Sequence, residues 1–107
     1  MSEFVLAIST CTEKDADLIA MELVKSKACA CVNIIRSVTS IYHWKGKIEV
    51  DPECILLMKT KEELQEQLLE KLKIHHPYEI PEFIVIPIEG GSKDYLNWIV
   101  HSTLDKH

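Results

Sequence analysis

At 107 residues the chain has room for one domain, spanning 1–107, with a single core and little to spare. Twelve Lys and Arg stand against 17 Asp and Glu, a formal net charge of −5, so neither nucleic acid nor an anionic membrane is expected as a partner. No apolar run reaches about 18 residues, no charged-then-apolar leader precedes the first strand, and the four cysteines (Cys11, Cys29, Cys31, Cys54) lack the spacing of a secreted disulfide scaffold. A soluble, cytoplasmic chain with reduced thiols is therefore expected.

Phe4 to Cys11, nearly all apolar or small, has the composition of a strand buried on both faces. Thr12 is the candidate N-cap of a helix, with Asp15 three residues on, and Ala16, Ile19, Ala20, Leu23 and Val24 form its apolar stripe. Lys25 and Lys27 suit its negative C-terminal end. From Cys29 to Trp44 the chain turns rich in β-branched and aromatic residues, Lys45-Gly46 marks a turn, and Lys47 to Met58 returns. A strand of about 14 residues would span about 46 Å, whereas a domain of this size has a radius of gyration of about 13 Å. Such a hairpin must bend, at the polar Ser37 to Ser40 segment, or reach beyond the body. Pro52 in the returning strand supports an interruption there.

Thr60 with Glu63 reads as a capping box opening a second helix, Lys61 to Ile74, with Leu64, Leu68, Leu69 and Leu72 on its apolar side. His75-His76-Pro77-Tyr78-Glu79-Ile80-Pro81-Glu82 follows. The two prolines push His76 and Ile80 out of the α region and hold the connector extended, where binding groups are readily mounted. Phe83 to Ile88, bracketed by Pro81 and Pro87, reads as an edge strand. After Gly90-Gly91, Ser92 starts a third helix with Tyr95, Trp98 and Ile99 on one side.

The order β-α-β-β-α-β plus a terminal helix predicts an α+β, ferredoxin-like sandwich with two helices on one face of a four-stranded antiparallel sheet, a long β2-β3 hairpin and a C-terminal helix. The strands are apolar on both faces, and two apolar faces with one helical layer leave a patch that a monomer would rarely expose. A homotrimer or similar self-assembly, with the overlong hairpin pairing across subunits, is expected.

Cys31-Val-Asn-Ile, Ser40-Ile-Tyr-His-Trp-Lys-Gly46, Leu57-Met-Lys-Thr60, His76-Pro-Tyr-Glu-Ile-Pro-Glu82 and Tyr95-Leu-Asn-Trp98 together resemble the CutA divalent-cation tolerance family, in the family's order and over nearly the whole chain. The resemblance implies a ferredoxin-like homotrimer, a cytoplasmic setting, and a role in tolerance to copper and other divalent cations, with no organic cofactor. It places Cys31 and His76, with His75 as the paired-histidine form, at candidate metal positions. It places Tyr42, Lys59, Tyr78 and Glu82 near a cleft between subunits.

The residues themselves admit plainer readings. Cys29 and Cys31, two apart on a strand, would point to one side and suit soft ions such as Cu(I), but free cysteine is commonly a small buried hydrophobe. Imidazoles suit copper and zinc, yet adjacent histidines after a helix also serve as C-terminal charge partners. Lys59 with Glu82, Tyr78 and Tyr42 makes either an inter-subunit pocket for a small anion or carboxylate ligand or an ion pair that sets register at an interface. Trp44 and Trp98 read as packing anchors. No nucleophile-base pair or phosphate loop emerges, so no enzyme is expected. Two function classes stay open: a trimeric metal-tolerance protein, and a trimeric small-ligand-binding signalling module with inter-subunit clefts. An acylphosphatase-like hydrolase would need an early anion-binding loop and arginine, and the only arginine is Arg36.

Overall fold

The first apolar run becomes an interior strand. In the computed structural model, which describes residues 3–104, β1 (Phe4–Cys11) pairs antiparallel with β3 (Lys47–Lys61) on one side and β4 (Ile84–Ile88) on the other. β2 (Cys31–Trp44) pairs only with β3, so the sheet order is β2-β3-β1-β4, with β4 at an edge as its prolines require. The helices are α1 (Glu13–Lys25), α2 (Gln65–His75) and α3 (Lys93–Ser102). This is the expected α+β split βαβ arrangement.

Alternation sorts the side chains. Val5, Ala7, Ser9 and Cys11 of β1, with Cys54, Leu56, Met58 and Thr60 of β3, are buried toward the helices. There they meet Ala16, Ile19 and Leu23 of α1 and Leu68 and Leu72 of α2, all with no exposed surface. Each large aliphatic side chain buried in this way is worth about 1.5–3 kcal/mol. The opposite face carries Leu6, Ile8, Leu57, Ile84 and Ile86, half-buried or exposed, so the sheet is apolar on both sides.

The hairpin bends where expected. Its register shifts between Ile35 and Val38, and Ser37 adopts φ 61° at the bulge. Arg36, at the same place, pairs with Glu13 and Asp17 of α1 at 2.7 Å each and ties the bulge to the body. Beyond it the arm runs on to Lys45 (φ 50°) and Gly46 (φ 80°), the double positive φ of a type I′ turn. The arm stretches the molecule to 44 × 29 × 22 Å.

Two local expectations fail. Thr60 does not cap α2, because β1 pairs with β3 as far as Phe4 opposite Lys61, and the ladder keeps Thr60 in the strand. Its hydroxyl is buried and donates to the Ala28 carbonyl at 2.7 Å instead. The chain then makes a 3-10 turn, Glu62–Leu64, before α2 begins at Gln65. Thr12 does occupy the N-cap of α1, but its hydroxyl donates to the Asp15 carboxylate at 2.6 Å rather than accepting from the backbone. Ser92 caps α3 as expected, accepting from the Tyr95 N–H at 3.2 Å.

Candidate functional site

The connector after α2 is held by His76. β4 begins only at Ile84, opposite Ile8, and its pairing does not extend to Thr10. His76 fills the vacancy: its Nε2 donates to the Thr10 carbonyl at 2.7 Å and its Nδ1 accepts from the Tyr78 N–H at 3.2 Å. A carbonyl can only accept, so Nε2 carries the proton and Nδ1 has spent its lone pair. The ring is buried and lies 4.6 Å, centroid to centroid, from Tyr78. His76, expected as a metal ligand, therefore has no free nitrogen in this arrangement. Its place is structural, and it aims the Tyr78 side chain.

Tyr78 reaches across to the returning strand of the hairpin and donates to Glu53 Oε2 at 2.7 Å. Tyr42, on the outgoing strand, donates to Asp51 Oδ2 at 2.5 Å. Between hairpin and connector opens a cavity of about 920 Å³, lined by both tyrosines, Trp44, Asp51, Glu53, Glu79 and Glu82, and by Thr10, Thr12, Glu13 and Lys14 where β1 passes into α1. Five carboxylates thus face one ammonium. The Asp51 hydrogen bond, with the charges around it, pushes the Tyr42 phenol up to about 12. Burial and the Glu53 bond push Tyr78 up further. Both hydroxyls remain donors at any physiological pH.

Burial and the Glu53 charge raise the Glu82 carboxyl above its ordinary value. The folded chain therefore keeps a proton there over a window in which the unfolded chain has lost it, and stability falls as pH rises through that window. Glu82→Gln should match the parent near the ordinary glutamate value of about pH 4 and exceed it in urea midpoint at neutral pH. An equal change at both pH values would refute this.

The expected ligand residues are thus divided. Tyr42, Tyr78 and Glu82 line one cavity. Lys59 does not join them; its Nζ lies 3.4 Å from the Tyr95 hydroxyl of α3 and over the Tyr95 ring. It faces the outer side of the sheet, in the row that runs Cys31, Lys59, Leu6, Ile86. Cys31 shares that row, and its thiol donates to Asn33 Oδ1 at 3.5 Å. The row crosses β1 at Leu6, four residues or about 13 Å from the Thr10 carbonyl that His76 holds. One chain therefore does not bring Cys31 together with His75 and His76.

Among the described residues no three His, Cys, Asp or Glu side chains are placed to hold a metal ion. Cys29 and Cys31 do not share a face either, because β2 starts only at Cys31; Cys29 lies in the segment that joins α1 to β2, fully buried in the core, while Cys31 is on the outer face. Asp51 and Glu53 are the cavity residues that sequence reading passed over. Their signal was present: two acids at i, i+2 on the returning strand, near Tyr42 once the Lys45-Gly46 turn sets the register.

The family model described as CutA1 divalent ion tolerance protein matches residues 4–102. The Divalent-cation tolerance protein CutA of Thermus thermophilus is 41% identical over 94% of this chain and 98% of its own length. The mouse Protein CutA is 46% identical over 87% of this chain but 53% of its own length, so the chain spans about half of that longer relative. The chain likewise spans about half of the chloroplastic relatives from rice and Arabidopsis. Among solved structures, CutA from Xylella fastidiosa superposes with a TM-score of 0.92 at 35% identity, covering 95% of this chain and 99% of the other.

Proposed function

Because the chain belongs to the CutA1 divalent ion tolerance protein family, we propose that it serves divalent-cation tolerance as a cytoplasmic homotrimer that holds copper or other divalent cations weakly and exchangeably. The observation that carries the cation reading is the charge of the hairpin cavity, where five carboxylates surround one lysine. Such a field concentrates cations. The Tyr42 and Tyr78 hydroxyls each occupy only one oxygen of a carboxylate, which leaves the others for hydrated or directly bound ions. Cys31 on the outer face is the softer donor, and His75, of the two adjacent histidines, is the imidazole not spent in a described hydrogen bond. A trimer is supported by the apolar outer face of the sheet and by the exposed arm. No helix among the described residues is long and apolar enough to cross a membrane.

Calorimetric titration with copper(II) and zinc(II) tests the cation reading. Micromolar to millimolar affinity is expected. A large loss in Glu79→Gln/Glu82→Gln assigns the ion to the cavity, and a large loss in Cys31→Ser/His75→Ala assigns it to the soft donors. Unchanged binding in both double variants, or none in the parent, overturns the reading.

A second reading, a trimeric module that binds a small ligand at inter-subunit clefts, is favoured by the way Tyr42, Tyr78 and Glu82 converge on one cavity. The anion or carboxylate ligand expected from the sequence does not suit a cavity lined by five carboxylates and without Lys59; the acidic lining favours an organic cation for that role. Neither reading includes a catalytic step or an organic cofactor.

A further inference from the structure

Cys11, the last residue of β1, stands directly opposite Cys54 of β3 in the antiparallel register. Both side chains lie on the helix side of the sheet, both are buried, and both are free thiols. Opposed residues in an antiparallel pair have Cα atoms about 4.5–5.5 Å apart, inside the range of about 4.4–6.8 Å that a disulfide spans. The register alone thus brings the two within reach of a disulfide. Cys29 and Cys31 have no such relation, since one lies in the core before β2 and the other on the outer face.

A second observation concerns the proton. The Cys54 thiol donates to Glu13 Oε2 at 2.8 Å, while the other oxygen of that carboxylate pairs with Arg36 at 2.7 Å. The Glu13 side chain is 62% exposed and lines the hairpin cavity, so it links the buried thiol to water. The Cys54 hydrogen bond and the Arg36 guanidinium hold Glu13 below the ordinary carboxylate range, hence ionised: it accepts the thiol's hydrogen bond, and its charge keeps the proton on sulfur until the sulfur reacts. Burial pushes both thiols up, Cys11 to about 12 with the help of Cys54, and Cys54 to about 11 with the help of Glu13. Neither stands as a thiolate at neutral pH, so the proton must leave as the sulfur attacks, and a hydrogen-bonded carboxylate open to water is a relay for it.

We propose that Cys11 and Cys54 are a redox-active dithiol, a site of oxidation to a cross-strand disulfide by hydroperoxides, with Glu13 positioned to relay the Cys54 proton to the departing oxygen. Cys54 Sγ attacks one peroxide oxygen; the S–O bond forms, the O–O bond breaks, and the thiol proton passes through Glu13 to the departing oxygen. Cys54 is left as a sulfenic acid. Cys11 Sγ then attacks the Cys54 sulfur; the S–S bond forms, the S–O bond breaks, and the hydroxyl leaves as water with the Cys11 proton. Two electrons move from the thiols to the peroxide, and one hydrogen peroxide yields two waters. The inference is independent of what the cavity binds.

The test treats the full chain with excess hydrogen peroxide, alkylates it under denaturing conditions and maps the peptides by mass. Loss of two hydrogens is expected, with the Cys11 and Cys54 peptides joined until dithiothreitol separates them. Cys11→Ser should instead leave a Cys54 sulfenic acid that dimedone traps. Glu13→Gln should slow the cross-link by about tenfold or more. A link through Cys29 or Cys31, over-oxidised Cys54 without a link, or unmodified Cys11 and Cys54 after peroxide has oxidised Cys31, would overturn the proposal in the parent chain alone. A Glu13→Gln variant that cross-links at the parental rate would remove Glu13 from it.

Discussion

Ile48→Asp combined with Val50→Asp should turn a three-chain assembly into single chains without unfolding them. In the arm Ile41 pairs with Val50 and His43 with Ile48, so Ile41, Ile48 and Val50 share one face. They are 68%, 66% and 60% exposed in the single chain, the largest apolar exposures on the hairpin. Their replacement costs the isolated fold little for that reason. In an assembly that covers this face, each lost aliphatic side chain forfeits about 1.5–3 kcal/mol of burial. Two of them weaken association by roughly two to four powers of ten, before the added cost of burying carboxylates without partners. Sedimentation at low micromolar concentration checks it. The parent should run at three times the 12.3 kDa chain and the variant as one chain, with unchanged circular dichroism. A monomeric parent would end the trimer reading, and a trimeric variant would move the contact away from the arm.

His76→Ala should cost about 2–4 kcal/mol of folding stability and leave cation affinity per folded molecule unchanged. The ring is buried, satisfies the Thr10 carbonyl beyond the end of β4, and orients Tyr78 toward Glu53. Removing it leaves a carbonyl and an N–H without partners, at about 1–3 kcal/mol for a buried group, and forfeits the burial of the ring itself. Chemical denaturation measures the loss, and copper titration of the folded variant measures the other half. A variant with parental stability and abolished copper binding would return His76 to the role of metal ligand.

These two sites mark where sequence reading was strong and where it was weak. The hairpin announced itself through its length: a strand too long for a domain of this size, a polar interruption, and a Lys-Gly turn suited to positive φ. The bulge beside Ser37 and the turn at Lys45-Gly46 lie where those signals place them. His76 carried the opposite lesson. Its imidazole is as good a metal donor in sequence as any other, and only the short β4, which leaves the Thr10 carbonyl open, gave the ring something nearer to bond. Thr60 followed the same logic. A capping box is a local preference worth about 1 kcal/mol, and the pairing of β3 with β1 through Lys61 outweighed it. Lys59 has the same parity on β3 as the cavity acids Asp51 and Glu53, but it lies six and more residues further along the strand, about 20 Å from Glu53, where it meets Tyr95 instead of the cavity.

The amino-acid order alone determined the element sequence, the family, the edge position of β4 and the doubly apolar sheet, since these depend on periodicity, proline chemistry and composition, which act over a few residues. The tertiary structure alone decided which polar groups meet. Cys11 opposite Cys54, Tyr78 on Glu53, and Cys54 on Glu13 each join residues between 25 and 43 positions apart. Such pairings follow from strand register and from the path of the connector, and no local preference encodes either one.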